Sequence, residues 1–316
     1  METLILSEEK MEVTPCVATI GMFDGVHEGH RFVLRRVCDY AKAHQLASTV
    51  ITFDRHPREV VQTGWKPQLL TTFDERIRLL GETGIDRCVV LPFTQEMAAL
   101  SAHDFMLLMA NRLGVKVLLT GYDNRFGHNR NETFEDYVRY GNEIGIEVKG
   151  LPSANSQLPT LNSQRSDVSS SMVRRLLEEG NVKEAARCLS YPYSITGRVV
   201  KGEHVGTRLG FPTANLQVDD SHKMIPSAGV YAVECQWLNA NGKSLKGMMN
   251  IGSRPTFGDH AQTLEVHILD YEGDLYGQTI TVSFIERLRN ERRFDSEEEL
   301  VAQLKEDALQ VENLEL

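Results

Sequence analysis

Apolar residues come in short solid runs over the first half of this chain and in alternation with polar ones over much of the second. Cys16–Ile20, Ser48–Phe53, Arg87–Pro92, Val115–Thr120 and Glu147–Leu151 have the length and apolar content of strands buried on both faces. Between them, Arg31–His44, Thr72–Thr83, Ala102–Leu113 and Thr133–Ile144 carry apolar positions at helical spacing. Residues 15–150 thus predict βαβ units, a parallel sheet and helices on both of its faces. Residues 152–167 are polar with two prolines and predict a surface loop, and Met172–Glu179 and Val182–Leu189 predict two short helices. From Tyr193 the texture changes. Ile195–Val200, Val230–Trp237, Gly247–Ile251, Thr263–Ile268 and Gln278–Phe284 predict short strands between glycine-bearing turns, as in a small barrel or sandwich. Ser296–Leu316 predicts a closing helix, with Ser296 and Glu299 as a capping box. The expected division is residues 1–186 and 187–316.

Composition narrows the class. A chain of 316 residues has room for two cores, and 41% hydrophobic with 25% charged residues is ordinary for a globular protein. A net charge of −10 argues against wrapping nucleic acid but leaves nucleotides open as substrates. The five cysteines are scattered, with no Cys-x-x-Cys pair, which suits reduced thiols in the cytoplasm. The first residues lack the long apolar core of a signal peptide, and no run approaches the length of a membrane span.

Chemistry concentrates at the predicted strand ends. The stretch GMFDGVHEGH (Gly21–His30) lies between a strand and a helix, where unpaired N–H groups and the helix dipole favour an anion. Gly21, Phe23 and Gly25 shape this turn, and His27 and His30 stand at its mouth, able to hold a triphosphate and stabilise charge at an attacked phosphorus. His-x-Gly-His is a signature of nucleotidyl transferases. Three further polar islands follow: TFDRHPR (Thr52–Arg58), GYDNRFG (Gly121–Gly127) and VSSSMVR (Val168–Arg174). Asp123 and Phe126 offer hydrogen bonding and stacking to a planar ring; Ser169, Ser170 and Arg174 offer hydroxyls and a cation to phosphate.

In the second half, Lys201–Asn215 holds Gly202, Gly206 and Gly210, which free backbone N–H groups for phosphates, without the spacing of a Walker motif. Thr213 and Asn215 are neutral oxygen ligands suited to Mg²⁺ shared with ATP. Downstream, Leu264–Ile268 alternates so that Glu265 and His267 face away from the apolar positions, and Leu288–Phe294 is a charged turn.

The first set of motifs, with LPFTQEMAALSAHDF and SSSMVRRLL, resembles the adenylyl-transferring module of bacterial bifunctional riboflavin kinase/FAD synthetases over residues 15–180. The second set resembles their kinase module: SITGRVV, GFPTANL, GVYAVE, MNIGSRPTFG, LEVHILD, LYGQTITVSF and LRNERRF. The resemblance implies a Rossmann-like α/β nucleotidyltransferase domain with a parallel sheet, followed by a riboflavin kinase-type Greek-key β-barrel with a terminal helix. It implies ATP, riboflavin, FMN and FAD as ligands, with Mg²⁺ accompanying ATP. By the same resemblance His27, His30, Ser169, Ser170 and Arg174 take phosphates, and His56, Asp123 and Phe126 receive flavin or nucleotide. Thr213 and Asn215 stand near Mg²⁺–ATP, Glu265 is the base for the riboflavin 5′-hydroxyl, and Asn250 and Arg289 lie at the flavin. Arg55, Asn124, Asn131, Ser171 and Met172 depart from the usual pattern. They raise the rival of a kinase with a degenerate adenylyl module. A non-catalytic flavin-binding regulator is the other rival, against which the intact Glu265, Thr213 and Asn215 argue.

Overall fold

The computed structural model describes residues 1–6, 14–62, 64–121, 125–128, 131–151, 168–202, 205–237, 243–253 and 262–314. It divides into two compact units, Met1–Ser170 and Ser171–Leu316.

The first unit runs β1 (Glu2–Ile5), β2 (Cys16–Ile20), α1 (Glu28–His44), β3 (Ala47–Phe53), α2 (Pro57–Val61), α3 (Phe73–Gly81), β4 (Arg87–Leu91), α4 (Gln95–Ala99), α5 (Ala102–Leu113), β5 (Val115–Gly121), α6 (Phe134–Ile144) and β6 (Glu147–Leu151). The six strands form one parallel sheet in the order β1-β4-β3-β2-β5-β6. Every residue of β2 is buried, as a solid apolar run requires when helices cover both faces. Phe105, Met106 and Met109 of α5 and Tyr137 of α6 pack in one core with Ala18 and Leu118 from the central strands. Thr72 with Glu75 and Thr133 with Asp136 form reciprocal capping boxes that fix where α3 and α6 begin.

The second unit runs through α7 (Ser170–Glu178), α8 (Val182–Leu189), β7 (Ser194–Val200), α9 (Val205–Arg208), β8 (Ala214–Gln217), β9 (Gly229–Trp237), β10 (Leu245–Ser253), β11 (Gln262–Ile268), β12 (Thr279–Arg289) and α10 (Glu297–Asn313). Its strands close into an antiparallel barrel, β10-β11-β8-β7-β12-β9. The β8–β9 and β11–β12 connections each pass two strands, in Greek-key manner. Val199, Val233, Val266, Val282 and Phe284 fill the core, each at most 3% exposed. Helix α10 covers Ala232 and Met248 with Val311. Its Ser296 cap accepts the Glu299 N–H, but the Glu299 carboxylate takes the N–H of Asp295, so the expected capping box closes one residue early.

The two helices α7 and α8 pack with the barrel. The Ser227 N–H donates to the Leu177 carbonyl at 3.0 Å, Arg287 reaches the Glu179 carbonyl, and Lys183 pairs with Glu286 at 3.2 Å. The compact units therefore part at residues 170/171, ahead of the division at 186/187 expected from composition.

Candidate active sites

In the first unit, β3 and β4 extend to one side of β2 and β5 and β6 to the other. The strand order reverses between β2 and β5, and open α/β sheets take their ligands at the carboxyl edge of such a switch point. Gly21–His30 is the loop leaving β2. Phe23 (φ 53°), Gly25 (φ 79°) and Val26 (φ 35°) are all left-handed. For a β-branched residue such as Val26 this costs on the order of 1–3 kcal/mol. Asp24 holds the strained turn in place. Its carboxylate, 3% exposed, accepts bonds at 3.0 Å from the N–H groups of Leu70 and Thr71 and from the Thr71 hydroxyl. These three bonds hold the turn in its left-handed form. Nothing in the sequence pattern distinguishes Asp24 in this role.

His27 caps α1, its Nδ1 accepting the His30 N–H at 3.4 Å. The two imidazoles stack at 3.6 Å between centroids, and Phe23 meets His30 edge-on at 5.2 Å. The serine motif begins against the same turn. Ser170 Oγ donates to the Asp24 carbonyl at 3.0 Å, and the Val168 carbonyl lies 3.2 Å from where a Cβ on Gly29 would stand. His27, His30 and Ser170 are thereby brought together, with Ser169 immediately before α7 and Arg174 on that helix.

The other islands are partly structural. His56 caps α2 in a reciprocal box with Glu59, its Nδ1 accepting the Arg58 N–H at 3.2 Å. The expected strand-ending turn is thus a helix start. Phe126, expected to stack on a planar ligand, is 9% exposed and stacks at 4.2 Å on Tyr137, whose hydroxyl bonds to the Phe126 backbone. That ring anchors its loop in the core. Asp123 and Asn124 lie outside the described residues.

Burial, and next the neighbouring His27, push the His30 imidazole well below its ordinary value of 6.5. Its Nδ1 is buried with no hydrogen-bond partner among the described residues. The unfolded chain then binds a proton that the folded chain refuses, so stability falls as pH drops below about 6.5 toward the folded value. Melting curves between about pH 7.5 and 5.5 should show a larger loss for the wild type than for His30→Gln, which lacks the titrating group. Equal losses would contradict a neutral, buried His30.

In the barrel, register places the expected kinase residues on one transverse row. Asn215 of β8 pairs with Glu265 of β11, Glu265 with Asn250 of β10, Asn250 with Val230 of β9, and Val230 with Arg289 of β12. Residues opposed across a ladder share a face, so Asn215, Glu265 and Asn250 project to the same side. The Thr213 hydroxyl approaches the Glu265 carboxylate at 3.5 Å. Arg289, expected in a turn, is the last residue of β12 and forks onto Asp307 of α10 at 2.8–3.1 Å. Asp307 is 1% exposed and takes a further bond from Gln303.

Part of the glycine loop is regular. Val205–Arg208 is a short helix, and a Cβ on Gly206 would stand 2.2 Å from the Phe211 carbonyl oxygen. A Cβ on Gly202 would meet the Asn215 amide at 2.1 Å, so this glycine makes room for a residue of the row. Gly210 is left-handed (φ 83°). Thr213 also lines a cavity of about 420 Å³, walled by Thr207, Ala214, Tyr271, Leu275 and Tyr276. The Tyr271–Tyr276 wall was not foreseen as part of a site; its Gly-Asp turn carries no distinctive chemistry.

A glycine-bearing turn with two histidines at the switch point of a parallel sheet, joined in one chain to a barrel whose Glu265 stands in a polar row beside a cavity, defines a two-unit transferase acting on nucleotides. Family models agree, that for FAD synthetase matching residues 9–170 and that for riboflavin kinase residues 189–314. The chain belongs to the bifunctional riboflavin kinase/FMN adenylyltransferase family. It is 39% identical over 295 residues to the Escherichia coli (strain K12) member, spanning 93% of this chain and 91% of that one. The Pseudomonas fluorescens member is 38% identical over 294 residues, 92% of this chain and 90% of its own. A crystal structure described as a macrolide-efflux protein from Streptococcus pneumoniae shares the fold, with a TM-score of 0.88 and 29% identity over 100% of both chains. Among the described residues here, no helix is long and apolar enough to cross a membrane. The enzyme thus carries a riboflavin kinase half and an FAD synthetase half.

Proposed function

We propose that the barrel phosphorylates riboflavin with Mg²⁺–ATP and that the sheet unit then adenylylates the FMN formed. The row Asn215–Glu265–Asn250, with Thr213 reaching both Glu265 and the cavity, is the observation that carries the kinase assignment. ATP occupies the cavity, its phosphates directed at Thr213 and at the backbone of the loop bearing Gly202, Gly206 and Gly210. The oxygen donors of Thr213 and Asn215 suit Mg²⁺, which prefers hard ligands and keeps several of its waters. Glu265 removes the proton from the riboflavin 5′-hydroxyl as that oxygen attacks the γ-phosphorus, and ADP leaves. Asn250 and Arg289 hold the flavin.

In the first unit, the ATP triphosphate lies on the turn Gly21–His30, with Phe23 and Gly25 shaping its backbone. His27, His30, Ser169 and Ser170 bind the phosphates, and the sequence resemblance gives Arg174 the same role. A phosphate oxygen of FMN attacks the α-phosphorus, forming FAD and releasing pyrophosphate. His30, kept neutral by burial, gains a counter-charge when the polyphosphate arrives, which favours its protonation and the stabilisation of charge at phosphorus. His56 and Asp123 contact the flavin or adenine. The five free cysteines support a cytoplasmic setting.

Incubating the full chain with riboflavin and Mg²⁺–ATP and separating products by chromatography should show FMN rising first and FAD following at its expense. FMN accumulating with no FAD would overturn the second activity and favour a kinase with a degenerate adenylyl module.

A further inference from the structure

Arg76, on α3, is 1% exposed and one of the largest side chains wholly removed from solvent. Its Nη2 donates to the carbonyl of Phe53, the last residue of β3, at 2.5 Å. Its Nη1 lies 3.6 Å from the Sδ of Met22, just beyond β2, and the guanidinium stands 5.6 Å from the Phe73 ring centroid. Its Nε is buried with no hydrogen-bond partner among the described residues. Among the described residues no carboxylate forms an ion pair with it, although Asp24, Asp54 and Glu59 are near enough to attract it.

Such a residue is a poor choice for stability alone. Burying an ion costs several kcal/mol, which a carbonyl, a thioether, a ring and carboxylates beyond ion-pair distance offset only in part, and apolar replacement of buried charges is often neutral or stabilising. Its contacts explain its presence better. Met22 belongs to the phosphate turn, and Phe53 leads into the loop of Asp54 and His56. The nearby carboxylates hold backbone in the segments beyond the strand ends. Asp24 holds residues 70 and 71, Asp54 accepts the Phe93 N–H at 2.8 Å, and Glu59 accepts the His56 N–H at 3.0 Å. One cation therefore sits where the segments leaving β2, β3 and β4 converge.

We infer that Arg76 is a positioning residue for adenylyl transfer, setting the spacing between the phosphate turn and the loop that follows β3. The inference rests on the proposed assignment of Gly21–His30 as the adenylyl site. In the full chain, Arg76→Met should lower the kcat of FAD formation by about 10²-fold, as displacement of reacting groups by an ångström does. FMN formation by the same molecule should stay within about two-fold, and the unfolding temperature should hold or rise. Arg76→Lys, which keeps the charge but not the planar fork, should recover FAD formation to within about ten-fold of wild type. The inference is overturned if Arg76→Met makes FAD within about two-fold of wild type. It is also overturned if both variants lose FAD formation together with unfolding temperature, which marks a structural role. His30→Gln, assayed alongside, tests the premise separately: undiminished FAD formation there overturns the assignment of the turn, whatever the Arg76 variants do.

Discussion

Glu265→Gln is expected to lose about 10³-fold in riboflavin phosphorylation, within the range a positioned general base supplies. The substitution preserves shape and leaves an oxygen that can accept the Thr213 hydroxyl bond, so the rung of β11 between β8 and β10 should persist. FAD formation from supplied FMN should be unchanged, which makes the other half of the molecule a control for folding and concentration. Rates of ADP release with riboflavin, and of FAD formation with FMN, measure the two separately. A kinase rate within about five-fold of wild type would mean that another group takes the proton.

Replacing the stacked imidazoles should produce the opposite pattern. His27→Asn combined with His30→Gln should reduce adenylyl transfer by about 10²–10³-fold, the scale of losing preorganised groups at a phosphorus where charge develops. Asparagine at position 27 can still cap α1, so the helix start survives while the ring is lost. Riboflavin phosphorylation should be unaffected. Pyrophosphate release with FMN and ATP is the direct assay, and an undiminished rate would remove both histidines from the reaction.

Much of this arrangement was legible in the chain because both folds announce themselves through periodicity. Cys16–Ile20, Ala102–Leu113, Glu147–Leu151 and Val182–Leu189 fall where the apolar pattern places them. Elements that break the pattern escaped. β1 is a four-residue edge strand whose exposed positions look like any polar terminus. β8 is hidden within the glycine-rich loop, because its short ladder is defined by partners on β7 and β11. Within the sites, residues with reactive chemistry stood out, whereas Asp24 and Arg76 act by holding backbone in place. Phe126 illustrates the converse error: an aromatic in a polar loop invites a stacking role, but Tyr137 lies one helix away and takes the ring.

The end of β12 shows how distant this information can be. Alternation suggested a strand stopping at Phe284, with Arg289 in the turn beyond. Two bulges, between Phe284 and Glu286 and between Arg287 and Arg289, disturb the alternation and carry the strand to Arg289, opposite Val230. Regular pairing would have set Arg287 there instead.

Because that row is drawn from separate strands of a closed ladder, its spacing is graduated by the backbone, at roughly 4.8 Å per strand. Side-chain replacements in the barrel interior leave the graduation untouched. A single-residue insertion or deletion in β8, β10, β11 or β12 would turn one member of the row to the opposite side of the wall. In descendants of this kinase, substitutions outside the row and the core can therefore accumulate in these four segments, while their lengths, bulges included, stay constant.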